Sequence, residues 1–358
     1  MNRRVHARKE TSRRRRLSLL LLTLLLTALS LSGCQCALRQ FIDKGAVTAR
    51  GLQAVGDVNA KAAEGYDVRL ARAKWLEALA AYNQEDYART NRLIDETYDL
   101  LSDLQLVAER IYYRSADSTP VSGLLFRPVE GSGPWPLIVV NHAGFGTAAD
   151  FSDVALMIRD QGYLVFNPDY RGSGESEGQH ELAGGEVDDV IAGIEYLKAQ
   201  GLVEDSRVGL YGQSHGGAVA LLTAARYPGI KAVVEEAGFT DAADLYYNVV
   251  NNPDPNVRAL IDEVDFMKID TPGAAPDEYA VRSAINFVDS INAPTLIIHG
   301  ALDPLIPVRQ AERMYEAMRS AGKTVEIKIY PNEAHCVNDP AGRNEVWQLM
   351  FAWFDRYV

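Results

Sequence analysis

Ser214 stands in Gly212-Gln213-Ser214-His215-Gly216, directly after the apolar run Val208-Gly209-Leu210-Tyr211 and directly before Gly217-Ala218-Val219-Ala220-Leu221. That order predicts a strand turning sharply into a helix, with a hydroxyl lifted out at the turn. The glycines fit because a Cβ at Gly212 or Gly216 would collide where strand and helix pack closely. A serine hydroxyl is a weak nucleophile until a base takes its proton, and the base needs a carboxylate to orient it. Downstream, Thr295-Leu296-Ile297-Ile298 runs into His299-Gly300-Ala301-Leu302-Asp303-Pro304, and Val325–Ile329 runs into Tyr330-Pro331-Asn332-Glu333-Ala334-His335. Asp303 and His335 are therefore expected on the loops after the last two strands, in the chain order serine, acid, histidine. The chemistry implied is acyl transfer. Ser214 attacks a carbonyl, His335 carries the proton, and Asp303 holds His335 in one tautomer.

Such a reaction needs two N–H donors for the developing oxyanion. One is expected from His215, the other from Asn141-His142-Ala143-Gly144-Phe145-Gly146 after the run Leu137–Val140. Ala143 is the first choice of donor and Gly144 the next, with a plain tight loop as the alternative reading of the glycines. His142 and Asp169 precede Ser214 and so break the expected order; Asp169 is expected to position the turn Arg171–Gly174. His299 is expected to cap a strand end, and His180 lies in a polar loop. Glu235 and Glu236 follow a strand end and are candidates for a substrate's amino group, although buried carboxylates usually pair internally. With Tyr246 and Tyr247 they make up the candidate pocket. There is no H-E-x-x-H and no zinc spacing among the cysteines, so no metal is expected, and the chemistry requires no cofactor.

These residues need elements to hold them. From about residue 108 short apolar runs alternate with amphipathic stretches: Leu137–Val140, Leu164–Phe166, Val208–Tyr211, Ala232–Val234, Thr295–Ile298 and Val325–Ile329 are the runs. Strands apolar on both faces and separated by helices predict a mostly parallel sheet covered on both sides, preceded here by a hairpin around Ser118-Thr119-Pro120. Chemistry in such sheets sits at the carboxyl ends of the strands, where the polar motifs fall. The long interval 241–281 is expected to form a cap over the site, a loose surface excursion being the alternative. Residues 34–107 read as helical, with apolar residues at helical spacing and a break at Asn83-Gln84-Glu85-Asp86.

On these residues the chain resembles the α/β-hydrolase superfamily, and within it the catalytic domain of prolyl oligopeptidase-like serine hydrolases. The resemblance rests on Pro168-Asp169-Tyr170-Arg171-Gly172-Ser173-Gly174, the elbow with His215 after Ser214, Ser283–Val288, His299–Asp303 and His335, and covers roughly 106–358. It implies an α/β-hydrolase fold acting on a small ester or peptide substrate. Classical members also carry a β-propeller that filters peptides, which the helical residues 35–108 cannot supply; small esterases and deacetylases share the same motifs. An acyltransferase using the same acyl-enzyme, and a non-catalytic partner-binding scaffold, are the competing readings.

The first residues read as an address. Arg13–Arg16 precede an apolar run of 15 residues, Leu17–Leu31, which ends in Leu31-Ser32-Gly33-Cys34. That is the pattern of a secretory signal, and the run is too short to span a bilayer comfortably. The ending resembles the lipobox of bacterial lipoproteins, which implies that Cys34 is lipid-modified and tethers an exported protein to a membrane. Gln35 after it is the outer-membrane pattern of Gram-negative lipoproteins. Beyond residue 33 the chain holds 28 Lys and Arg against 47 Asp and Glu. A body that acidic repels phosphate backbones, which excludes nucleic acid as an expected partner. Cys36 and Cys336 are expected to be unpaired. The expected organisation is thus 1–33 signal, 34–107 helical segment and 108–358 catalytic domain.

Overall fold

A computed structural model describes residues 46–144, 146–258 and 269–358. The expected signal segment, Cys34 and Cys36 lie outside these residues, as do Phe145 and residues 259–268 of the expected cap. The chain divides into two compact units, one of Met1–Val58 with Arg69–Asp103, the other of Asn59–Val68 with Leu104–Val358. Among the described residues no helix is long and apolar enough to cross a membrane.

The smaller unit is helical. It takes in most of α1 (Ala46–Ala63), then α2 (Arg69–Asn83) and α3 (Tyr87–Leu101). The break between α2 and α3 falls where the polar run Asn83–Asp86 places it. Glu85 turns the chain at a φ of 62°, and the Asp86 side chain caps α3 by accepting the Arg89 N–H. Ala54, Val55, Trp75, Ala78, Leu93 and Ile94 form the interior, and the Trp75 indole N–H donates to the Gly51 carbonyl at 2.9 Å.

The larger unit is built on one sheet of β1 (Glu109–Arg114), β2 (Pro120–Phe126), β3 (Trp135–Asn141), β4 (Leu164–Asp169), β5 (Val203–Gln213), β6 (Ile230–Glu236), β7 (Thr295–Gly300) and β8 (Val325–Tyr330). Their spatial order is β1-β2-β4-β3-β5-β6-β7-β8. β2 runs antiparallel to β1 and to β4, and every pairing from β4 through to β8 is parallel. β4 and β7 are buried along their whole length, polar Asn167, Asp169 and His299 included, as in a sheet covered on both faces.

The covering helices are α4 (Ser152–Arg159), α5 (Gly185–Ala199), α6 (His215–Arg226), α9 (Arg309–Ser320) and α10 (Pro340–Tyr357). α5, α6 and α9 share a core with Leu137, Val208, Leu210 and Val233. On the opposite face Phe354 of α10 and Val358 just past its end lie against Gly209. Between β6 and β7 come the short α7 (Ala242–Val250) and α8 (Pro276–Ala280), the described parts of the expected cap. The Asn248 amide of α7 donates to the carbonyls of Pro304 and Leu305 at 3.1 and 2.9 Å, which ties this insertion to the loop after β7.

Candidate active site

Ser214 sits at the tip of β5, between Gln213 and the first residue of α6, with φ 55° and ψ −121°. A residue with a Cβ rarely adopts such angles, at a cost on the order of 1–3 kcal/mol. The turn is held open by glycine on each side. A Cβ on Gly212 would stand 2.1 Å from the Gly216 carbonyl oxygen, and one on Gly216 would stand 2.1 Å from that of Asn141. The Ser214 N–H is fixed by the Glu236 carbonyl of β6 at 2.8 Å, so the neighbouring strand anchors the bend.

The two other groups arrive on the loops after β7 and β8, the last two strands of the sheet. His335 Nε2 lies 2.9 Å from Ser214 Oγ, and His335 Nδ1 lies 2.7 Å from Asp303 Oδ2. Ser214, Asp303 and His335 are thus brought into one hydrogen-bonded chain across 121 and 32 residues of sequence. With Nδ1–H donating to the carboxylate, Nε2 is left as the acceptor of the serine proton. The other oxygen of Asp303 accepts the N–H groups of Leu305 and Ile306 at 2.8 and 2.9 Å, so the carboxylate is held from both sides. His299 Nε2 donates to the Ile306 carbonyl at 2.7 Å and stands 3.4 Å from Asp303. This fixes the same loop, more than the strand-end cap expected of it.

Burial by itself would raise the Asp303 pKa, but His335 and His299 outweigh it and hold the carboxyl well below the usual range. Burial likewise acts to lower the His335 pKa, and the Asp303 charge reverses the direction, leaving it well above its ordinary value. A base made more proton-hungry by a carboxylate that stays ionised is what abstraction of a serine proton needs.

His215 opens α6, and the first N–H groups of a helix have no intrahelical acceptor. Its imidazole is turned away from chemistry. Nε2 accepts the Ala183 N–H at 3.0 Å, and burial lowers its pKa to about 3, so the ring is neutral. Across from it, the Ala143 carbonyl accepts from His142 Nδ1 at 2.7 Å and from the Gly146 N–H at 3.2 Å. In a trans peptide the N–H points opposite to the C=O, so the Gly144 N–H faces away from His142. A Cβ on Gly144 would lie 3.6 Å from His215 Cβ, which brings this loop against the start of α6. Tyr170, fully buried, packs against both histidines, tilted on His142 with centroids 4.0 Å apart and edge-on to His215 at 5.5 Å. Nothing in the spacing of Tyr170 announced this support of the loop; only its place in Pro168–Gly174 drew attention to it.

The pocket expected around Glu235 and Glu236 is corrected. Both side chains have no exposed surface. They point to opposite sides of β6, as neighbouring strand residues must. Glu236 is occupied by Arg343 at 2.6 and 2.8 Å, and Glu235 accepts the Gly238 N–H at 2.8 Å. Neither carboxylate has exposed surface to offer an ammonium group. Tyr246 and Tyr247 sit on α7; Tyr247 is half-exposed, whereas Tyr246 packs edge-on against it and against buried Tyr279. Asp169 accepts from Arg110, Ser122 and Ala148, and its carboxylate fills the space a side chain on Gly174 would need. A polar cavity of about 590 Å³, lined by Thr119, Arg171, His180, Glu181, Asp270 and Arg282 among others, does not have Ser214 or His335 in its wall.

The model of the prolyl oligopeptidase family matches residues 149–358, more than half of the chain. An uncharacterized peptidase of Bacillus subtilis, YtmA, is 28% identical over 194 residues, which are 54% of this chain and 73% of that protein. Among solved structures, the acylaminoacyl peptidase of Pyrococcus horikoshii superposes with a TM-score of 0.58 at 21% identity, covering 70% of this chain and 42% of the peptidase. The esterase PF2001 of Pyrococcus furiosus superposes with a TM-score of 0.55 at 17% identity, covering 70% of this chain and 91% of the esterase. This chain therefore spans well under half of that peptidase but nearly all of that esterase. The two structures carry the fold and the family match carries the lineage: this chain belongs to the prolyl oligopeptidase family of serine hydrolases.

Proposed function

We propose that the protein cleaves an ester or peptide-type acyl bond through an acyl-enzyme on Ser214, and that it works outside the cytoplasm, tethered by a lipid on Cys34. The observation that carries the catalytic half is the continuous chain Ser214 Oγ, His335, Asp303 at 2.9 and 2.7 Å. His335 takes the Ser214 proton as Oγ attacks the carbonyl, and the His215 N–H with that of Ala143 or Gly144 receives the oxyanion. His335 then returns the proton to the leaving group, and water repeats the sequence to release the acid. Loss of an alcohol or of an amine from the oxyanion intermediate uses the same groups. The burial of Glu235 and Glu236 removes the carboxylates that would have favoured a free amino terminus, so substrates without one are expected to be preferred.

The deciding experiment compares the chain lacking residues 1–34 with its Ser214→Ala variant on p-nitrophenyl esters and on free and N-acylated aminoacyl p-nitroanilides. Ester or N-acyl turnover that disappears in the variant supports the reading. Turnover that survives in Ser214→Ala sinks the mechanism, and an absolute need for a free amino terminus sinks the substrate assignment. For the tether, labelled palmitate should enter the full chain in a bacterial host and not its Cys34→Ser variant.

A further inference from the structure

Glu236 makes more polar contacts than a structural carboxylate on a strand end needs. Its carbonyl holds the Ser214 N–H at 2.8 Å. Its Oε1 accepts the Val337 N–H at 3.0 Å and Arg343 Nη2 at 2.6 Å. Its Oε2 accepts Arg343 Nη1 at 2.8 Å, the Tyr211 hydroxyl at 2.9 Å and the Gln213 amide at 3.3 Å. Arg343, at the start of α10, also donates to the Val337 carbonyl. Its guanidinium lies 4.9 Å from the centre of the Trp347 ring, which in turn packs edge-on against Tyr211.

The consequence is geometric. Val337, two residues past His335, is gripped at both its N–H and its C=O by one ion pair, and the same Glu236 pins the backbone of Ser214. His335 stands on a loop beyond the end of β8, where no strand ladder holds it, and Cys336 beside it turns back at φ 64°. A buried ion pair is a weak means of stabilising a fold, since apolar groups of similar volume often serve as well. It is a strong means of fixing direction, because the planar arginine fork accepts one arrangement of the carboxylate.

We propose that Glu236 and Arg343 are positioning residues that set the separation of His335 from Ser214. This rests on the reading of Ser214 and His335 as nucleophile and base. The test is the double variant Glu236→Leu with Arg343→Met, compared with wild type and Ser214→Ala. Three quantities are read: the melting temperature, the rate of fluorophosphonate labelling at Ser214, and kcat and KM on the best p-nitrophenyl ester. The expected result is a folded variant with KM within about twofold, and with kcat and labelling rate reduced about 10- to 100-fold, the loss typical of a misplaced catalytic group. A folded double variant with kcat and labelling near wild type overturns the proposal. Should the double variant fail to melt cooperatively, Arg343→Lys decides by the same readouts. It keeps the charge but not the fork, so a wild-type kcat there overturns the proposal, and a tenfold loss at unchanged melting temperature supports it. Absence of labelling in the wild-type chain overturns the functional reading and the proposal together, whereas labelled wild type with unimpaired variants overturns the proposal alone.

Discussion

Three side chains carry the mechanism proposed here, and the fold fixes the conformation of one and the titration of the other two. Ser214 is kept at a strained φ, Asp303 is kept ionised, and His335 is made a stronger base than an exposed imidazole. Because His335 must be neutral to accept the serine proton, kcat/KM should rise with pH through its pKa. With that pKa raised, the acid limb should lie above the ordinary histidine value of 6.5. Asp303→Asn removes the charge responsible, so the limb should move to lower pH while kcat falls by about 10⁴-fold, as when a triad histidine loses its tautomer. A pH–rate profile of both proteins on one ester checks this, and an unmoved limb would mean that Asp303 does not set the His335 titration.

At the scale of elements, the site depends on how closely β5, α6 and the loop after β3 approach one another. Gly216 is the contact point. A methyl group there would meet the carbonyl oxygens of Asn141 and backbone of His142 within 2.6 Å, and these are backbone atoms that cannot swing aside. Gly216→Ala should therefore push the oxyanion loop away from α6. The expected result is a loss of about 1–3 kcal/mol in stability, typical of overpacking, and a fall in kcat of about 100-fold or more for a displaced oxyanion donor. Thermal melting and ester kinetics separate the two effects. A variant destabilised but fully active would remove this loop from the mechanism.

The molecule as a whole carries buried carboxyls whose titrations pull stability in opposite directions. Asp303 is held below the ordinary carboxylate value, so its contribution is present above about 3.8 and is lost as pH falls through the folded value. Glu235 is the reverse case. Burial outweighs the pull of His299 and the Gly238 N–H and raises its pKa to about 7. Its contribution is full below the ordinary 4.5 and is lost as pH rises through about 7. Glu235 should accordingly lower the melting temperature between pH 5 and pH 8 relative to a chain without it, a difference in which the contributions of Glu186, His142 and His215 cancel. Glu235→Gln, neutral at every pH and able to keep the Gly238 contact, should remove that loss, by at most about 3 kcal/mol at pH 8. Melts at the two pH values test it, and an equal change in both proteins would show that Glu235 ionises within the fold without cost.

Much of this was legible in the residues themselves. Unbroken apolar runs between amphipathic stretches determine a sheet covered on both faces, since such strands cannot be left facing water. Gly212-Gln213-Ser214-His215-Gly216 at a run's end determines the bend, because only glycine fits where strand and helix touch. Chain order then singled out Asp303 and His335 from other acids and histidines. What the residues could not disclose was which neighbours each buried polar group would find. Glu235 and Glu236 are adjacent and identical in type, yet alternation along β6 sends one toward Gly238 and the other to Arg343, a residue 107 positions away. Likewise Tyr170 meets His142 and His215 only because β3, β4 and β5 lie side by side. Local periodicity is written in a window of a few residues, and so sequence alone determined the elements and the nucleophile's turn. The partners of buried charges are set by strand order and face, which only the tertiary structure decided.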